Sequence, residues 1–310
     1  MKHIALPSIP LRALALALAL ASGLVPAPAQ AAVDLAALWD FSNPALSEER
    51  FRTALAAAQA EGRHDDALIL ETQIARTHGL RRDLDRARAL LRALEPRLAQ
   101  ASAEARSRHA LEWGRNHISA VTRPAERTPE NLAVARAAYT QALALAREGG
   151  LDGLAIDAVH MMAFVDDAPA DQRRWNEQAL AMVQASTQPE GRRWEASIRN
   201  NLAYSLHQLG LYAESLPHYE RALALREAAQ ASPRQQYVAR WLVARALRLT
   251  GRLDDALAQQ QRLEGQMHVV GDPDPFVLEE LERIHRARGD TARAEAYAER
   301  LAAARRKPSL

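Results

Sequence analysis

The chain contains no cysteine among its 310 residues. That excludes disulfide staples, thiolate metal sites, a cysteine nucleophile and a lipid-anchored cysteine, so stability has to come from packing, and it suits an oxidising compartment where a stray thiol is a liability. Aromatic residues make up only 5%, and no segment reads as a β-strand. Lysine is almost missing: Lys2 and Lys307 stand alone and every other base is arginine, with no basic block that would mark a nucleic-acid surface. No apolar run approaches the ~20 residues needed to span a bilayer. Neither a GxGxxG nor a GxxxxGK[ST] spacing occurs, which argues against a nucleotide phosphate site. The ten histidines lack HExxH spacing, so no metal or other cofactor is expected.

What the chain does have is 48% hydrophobic residues dominated by Ala and Leu, in runs such as Leu143-Ala144-Leu145-Ala146. These residues lose little rotamer freedom in a helix, so the expected class is all-α. Residues 1–31 read as a secretory signal peptide: Lys2 and Arg12 precede an apolar stretch from Ala13 to Val25, followed by Pro26, Pro28 and the small-residue site Ala29-Gln30-Ala31. Cleavage after Ala31 takes two of the 40 basic residues and leaves 38 against 38 acidic ones. The expectation is a periplasmic or secreted protein with no stable membrane span after cleavage.

From about Ser47 onward, apolar helical patterns of 12 to 18 residues alternate with short breaks, as in helical hairpins stacked in series. Gly62, Gly210, Gly251 and Gly289 each fall between two such patterns, where a left-handed residue closes a helix. Pro44, Pro129, Pro169, Pro189, Pro233, Pro273 and Pro275 stand at or near helix starts. Pro217 is expected in the first turn of its helix, where a missing N–H costs little.

The clearest repeat runs from Asn200 through Leu209-Gly210 to Leu223, with Leu202-Ala203, Leu206, Ser215, Tyr219 and Ala222 in characteristic places. It resembles a tetratricopeptide repeat. The match recurs at Val243-Ala244, Leu247, Gly251, Ala256 and Leu263, then more weakly at Leu281, Gly289, Ala294 and Leu301. Successive glycines at 210, 251 and 289 are 41 and 38 residues apart, against ~34 in the family, and Arg199, Arg240 and Leu278 replace its first-helix tryptophan. The resemblance implies a right-handed α-solenoid of about six hairpins: degenerate ones over 32–122, a loop at 123–130, and an array over 131–310 that ends in a capping repeat.

Candidate chemistry is sparse. His160 beside Met161-Met162 reads as a packed histidine, and Asp166-Asp167 and Asp254-Asp255 read as helix-start residues rather than paired acid/base carboxylates. Trp113, Trp175 and Trp194 are expected to fill gaps between repeats, while Trp241 stands apart. In the resembled family the first helices of successive hairpins line the concave face. That implies an inward stripe of Asn200, Tyr204 and His207, then Trp241, Arg245 and Arg248, with Asp157 upstream and Glu279 and Arg283 downstream. Ser197, Met161, Phe164 and Val238 share that face. Amide, guanidinium and aromatic groups at helical spacing suit a peptide segment. The expected function is therefore a non-enzymatic module of the bacterial envelope that binds a protein or peptide partner. The alternatives are a scaffold using the convex face or edges and an enzyme whose site leaves no spacing signal.

Overall fold

The computed structural model describes residues 33–306, and the expected signal peptide lies outside them. The architecture that follows belongs to the unit that begins at Leu35. Among the described residues there are helices and no strand. A single turn, α1 (Leu35–Leu38), precedes α2 (Pro44–Ala60), α3 (His64–Leu80), α4 (Leu84–Leu94), α5 (Ala103–Arg115), α6 (Pro129–Glu148), α7 (Asp152–Val165) and α8 (Pro169–Ala185). The short α9 (Pro189–Arg192) leads to α10 (Glu195–Gln208), α11 (Tyr212–Ala228), α12 (Pro233–Leu249), α13 (Leu253–Glu264), α14 (Pro275–Ala287) and α15 (Thr291–Arg306). Helices α3/α4, α5/α6, α7/α8, α10/α11, α12/α13 and α14/α15 pair as six hairpins, with α2 laid against α3 ahead of them.

Local chemistry sets the ends of these helices. Proline occupies the first position of α2, α6, α8, α9, α12 and α14, where its fixed φ suits the helix and its missing N–H is not needed. Ser232 and Gln235 form a reciprocal capping box at the start of α12. Gly210 and Gly251 close α10 and α12 at φ 75° and 79°, a conformation that strains any residue with a Cβ. Between α3 and α4 the same role falls to Arg82, at φ 67°.

Two expectations need correction. Pro217 is the sixth residue of α11, inside the second turn rather than the first, where a helical N–H is ordinarily bonded. Asp166 caps the C-terminal end of α7 rather than a helix start, and its carboxylate accepts from Trp175 Nε1 at 2.9 Å and from Arg136.

Packing is serial, as a repeat array requires. One core joins α5, α6 and α7 around Tyr139, the next joins α7, α8 and α10 around Ile156 and Ile198, and two more carry on to α15. Tyr139 is fully buried, and its hydroxyl donates to the Ile118 carbonyl at 2.5 Å. This bond holds down the long connection, residues 116–128, inside the α5/α6 hairpin. Arg82 also reaches that connection, donating to Val121 O and pairing with Glu126.

Candidate ligand groove on the first-helix face

Helices α3, α5, α7, α10, α12 and α14 are the first members of their hairpins. On α5, residues three apart lie on one face, so Arg115 reaches back to Glu112 and across to Asp157 on α7, at 2.5 Å each. Both carboxylates are buried, Glu112 at 1% exposure and Asp157 at 6%. Burial raises the Asp157 carboxyl, but Arg115 and Arg76 outweigh it and hold the group below the ordinary range. Buried charges of this kind persist only when paired.

Arg76 on α3 is less well satisfied. It stands 3.6 Å from Glu112, its Nε is buried without a partner, and it makes no hydrogen bond among the described residues. Its guanidinium lies 5.4 and 5.5 Å from the ring centres of Trp39 and Phe41, which stack in parallel at 4.6 Å. Trp39 is fixed in turn by donating to Gln73 Oε1 at 3.1 Å. Burial and the neighbouring Arg115 both lower the Arg76 pKa.

These groups border a cavity of about 740 Å³. It is lined by Trp39 and Phe41, by Arg76 of α3, Arg108 of α5 and Asp157 of α7, and by Trp194 and Ser197. A second cavity of about 290 Å³ shares Arg76, Asp157 and Trp194 with it. First helices of four consecutive hairpins thus contribute to one hollow, a setting in which a few polar groups can orient a ligand against apolar walls.

A second charge cluster lies between α12 and α14. Glu280 is 1% exposed and accepts from Arg248 at 2.6 and 3.1 Å and from Arg283 at 3.3 Å, while Arg245 Nε pairs with it at 3.7 Å and has no hydrogen-bond partner among the described residues. Arg283 also pairs with Glu279 at 2.5 Å. Arg245 lies over the Trp241 ring at 5.4 Å, and the indole donates to Phe276 O at 3.3 Å. The imidazole of His207 is half-buried, and burial followed by Arg245 lowers its pKa.

The nine residues read from the sequence are therefore divided. Asp157 belongs to the large cavity. Trp241, Arg245, Arg248, Glu279 and Arg283 form the α12–α14 cluster, which His207 faces, and within it Arg248 and Arg283 are committed to Glu280. Asn200 Oδ1 accepts from Arg226 at 3.2 Å, and Tyr204 is 46% exposed with its hydroxyl accepting from Gln208. Trp194, expected to fill an inter-repeat gap, packs partly on the α7/α8/α10 core and also walls both cavities. His160 packs edge-on to Phe164 at 5.3 Å and lines the smaller cavity, and burial lowers its pKa. Among the described residues no group of three metal-ligating side chains forms.

Sequence reasoning missed Trp39, Phe41, Arg76, Glu112 and Arg115. The first hairpin turns through Arg82 rather than glycine, which removed the mark that set the helical phase further on. The one available signal was Glu112 and Arg115, charges three apart on a helix that also carries Leu111 and Ala110.

Residues 194–265 match the tetratricopeptide repeat family model. No curated protein matches the chain. Among solved structures it is similar to the signal-transduction ATPase with numerous domains and a tetratricopeptide repeat sensor from Pyrococcus horikoshii, with 14% identity over 84% of this chain and a TM-score of 0.63; the chain spans 40% of that protein. It is also similar to PilF of Pseudomonas aeruginosa, with 19% identity, 76% of this chain, 91% of that one and a TM-score of 0.51. Aspartyl phosphate phosphatase F from Bacillus subtilis gives 15% identity, 86% and 77% coverage, and a TM-score of 0.51. No helix among the described residues is long and apolar enough to cross a membrane. The chain is thus an all-α helical-repeat solenoid that carries tetratricopeptide repeat sequence across residues 194–265.

Proposed function

We propose that this protein is a non-enzymatic binding module that takes a peptide or protein segment along its first-helix face, in the periplasm or outside the cell. The observation that carries the reading is the cavity of about 740 Å³ built from four successive first helices and lined by Arg76, whose guanidinium stands 3.6 Å from Glu112 and makes no hydrogen bond among the described residues. An extended segment suits a hollow that runs across repeats, because its backbone and alternate side chains meet one helix after another. Asn200, Tyr204, His207, Trp241, Arg245, Arg248, Glu279 and Arg283 would continue the contact surface beyond Asp157. The residues are assigned no catalytic role and no cofactor. The signal-peptide-like pattern of residues 1–31 is what favours export.

The test is capture of partners from an envelope extract by the native protein and by two variants. Ser197→Trp obstructs the cavity wall. Asn200→Ala with Arg245→Gln removes contacts further along, glutamine being chosen because a glutamate there would face buried Glu280. A partner held by the native protein and lost from both folded variants supports the reading. A partner retained by both, but lost on substituting exposed Glu220 of second helix α11, points instead to a scaffold that uses the outer face.

A further inference from the structure

Four guanidiniums and two carboxylates meet where α12, α14 and α15 come together. Glu280 is shared by Arg245, Arg248 and Arg283, and Glu279 by Arg283 and Arg305. Among the described residues no other carboxylate pairs with these arginines, so the cluster carries two surplus positive charges. Arg248 donates to both Glu280 oxygens, Arg283 to Glu279 and Glu280, and Arg305 to Glu279. Arg245 differs from them. Only its Nε is buried; both terminal nitrogens are open to solvent and make no hydrogen bond among the described residues, and the side chain is 30% exposed. Apolar surface adjoins this guanidinium. It lies 5.4 Å over the Trp241 ring, which meets Phe276 edge-on at 5.9 Å. Phe276 is 62% exposed, and Val238, three residues before Trp241 on α12, is 43% exposed.

A guanidinium with its terminal nitrogens open presents N–H donors in the fork that a carboxylate accepts. With positive charge in excess, an incoming carboxylate brings the cluster toward neutrality, whereas an ammonium would add to the surplus. The exposed side chains of Phe276 and Val238 give an apolar neighbour of that carboxylate a surface to cover, and covering it keeps water from one side of the ion pair. We propose that the α12–α14 face takes an aspartate or glutamate side chain of the bound segment on Arg245, with an aromatic or branched apolar residue beside it in the segment packed on Val238 and Phe276. This rests on the peptide-binding reading above. It deepens that reading by naming the residue class that the segment presents beyond the large cavity.

A random twelve-residue peptide library displayed on phage and panned against the purified protein tests it, with selected sequences remade as peptides amidated at the C-terminus. The expected result is binders that share Asp or Glu next to an aromatic or branched apolar residue. Replacing that acid by Asn or Gln should weaken binding to the native protein about tenfold or more, the loss of a hydrogen-bonded charge pair. On Arg245→Gln the acidic peptide and its amide copy should bind alike. Val238→Glu, an exposed change that leaves the pairs of the cluster in place, should weaken the acidic peptide more than the amide copy, and it decides alone if Arg245→Gln does not fold. Binders that are lost on Ser197→Trp but carry no acid, or whose amide copies bind the native protein equally well, overturn this inference and leave the peptide-binding reading standing. An acidic preference unchanged in the folded variants, or a basic consensus, also overturns it. Recovery of no binders by the folded protein overturns both.

Discussion

Replacing Asp157 by asparagine tests the charge chain to which Arg76 and Asp157, both lining the large cavity, belong. In the native protein two guanidiniums, Arg76 and Arg115, are balanced by two buried carboxylates, and Asp157 meets Arg115 at 2.5 Å with only 6% of the residue exposed. The substitution keeps shape and one acceptor but leaves Glu112 alone against both arginines. Removing one partner from a buried pair typically costs about 3–5 kcal/mol. Here Arg115 keeps Glu112 and the new amide still accepts a hydrogen bond, so about 2–3 kcal/mol is expected. At ~2–4 °C per kcal/mol for a chain of this size, the melting temperature should fall by roughly 5–10 °C. Adding Arg76→Gln removes the surplus positive charge and should return about 1 kcal/mol, a coupling that independent sites would not show. Urea and thermal unfolding followed by circular dichroism supply the numbers. A loss under about 0.5 kcal/mol, or strict additivity of the two substitutions, would refute the view that these charges form one compensated unit.

Three other outcomes follow from the same geometry. Gln260 is fully buried and neither amide atom has a hydrogen-bond partner among the described residues, so Gln260→Met should raise stability by about 1 kcal/mol in urea unfolding. A methyl group on Gly114 would lie 2.5 Å from Cε1 of fully buried Tyr139, so Gly114→Ala should cost about 1–3 kcal/mol and weaken protection of the 116–128 connection in hydrogen exchange. Burial lowers the pKa of His109 and His160, and ion pairing or hydrogen bonds hold the Asp157 and Asp166 carboxyls below their ordinary range. For all four the folded pKa lies below the unfolded one, so their contribution is present at neutral pH and is lost on acidification. Melting temperature should therefore decline as pH falls below about 6.5, where histidines protonate in the unfolded chain, and decline further below about 4 as carboxylates do.

The helical class and the hairpin count could be read from the sequence because the signals are local. Ala-Leu runs, prolines at first helical positions and glycines at φ 75° and 79° in two turns each act within a few residues. Pro217 was misplaced by one turn, because a proline is best tolerated in a first turn yet α11 carries it in the second, and Asp166 misled because a carboxylate can serve a helix end through Arg136 and Trp175 as readily as it can cap a start. The groove was less legible. Arg76, Glu112, Arg115 and Asp157 come from three hairpins and meet only through the stacking of first helices, and Trp39 and Phe41 reach the cavity that Arg76 and Asp157 line from the segment that connects α1 to α2. Periodicity within one helix shows which face a residue occupies. It does not show which residue of the next repeat stands opposite, least of all where Arg82 does the work of a glycine.

The central claim is that ligands occupy the first-helix face. Site-specific photo-crosslinking tests it most directly, with the photoreactive residue at Ser197 beside the large cavity in one protein and at Glu220 on α11 in another, each exposed to the source envelope extract. The account predicts a discrete crosslinked partner from Ser197, absent when Arg76→Gln is added, and none from Glu220. The same partner crosslinking from Glu220 and not from Ser197 would contradict it.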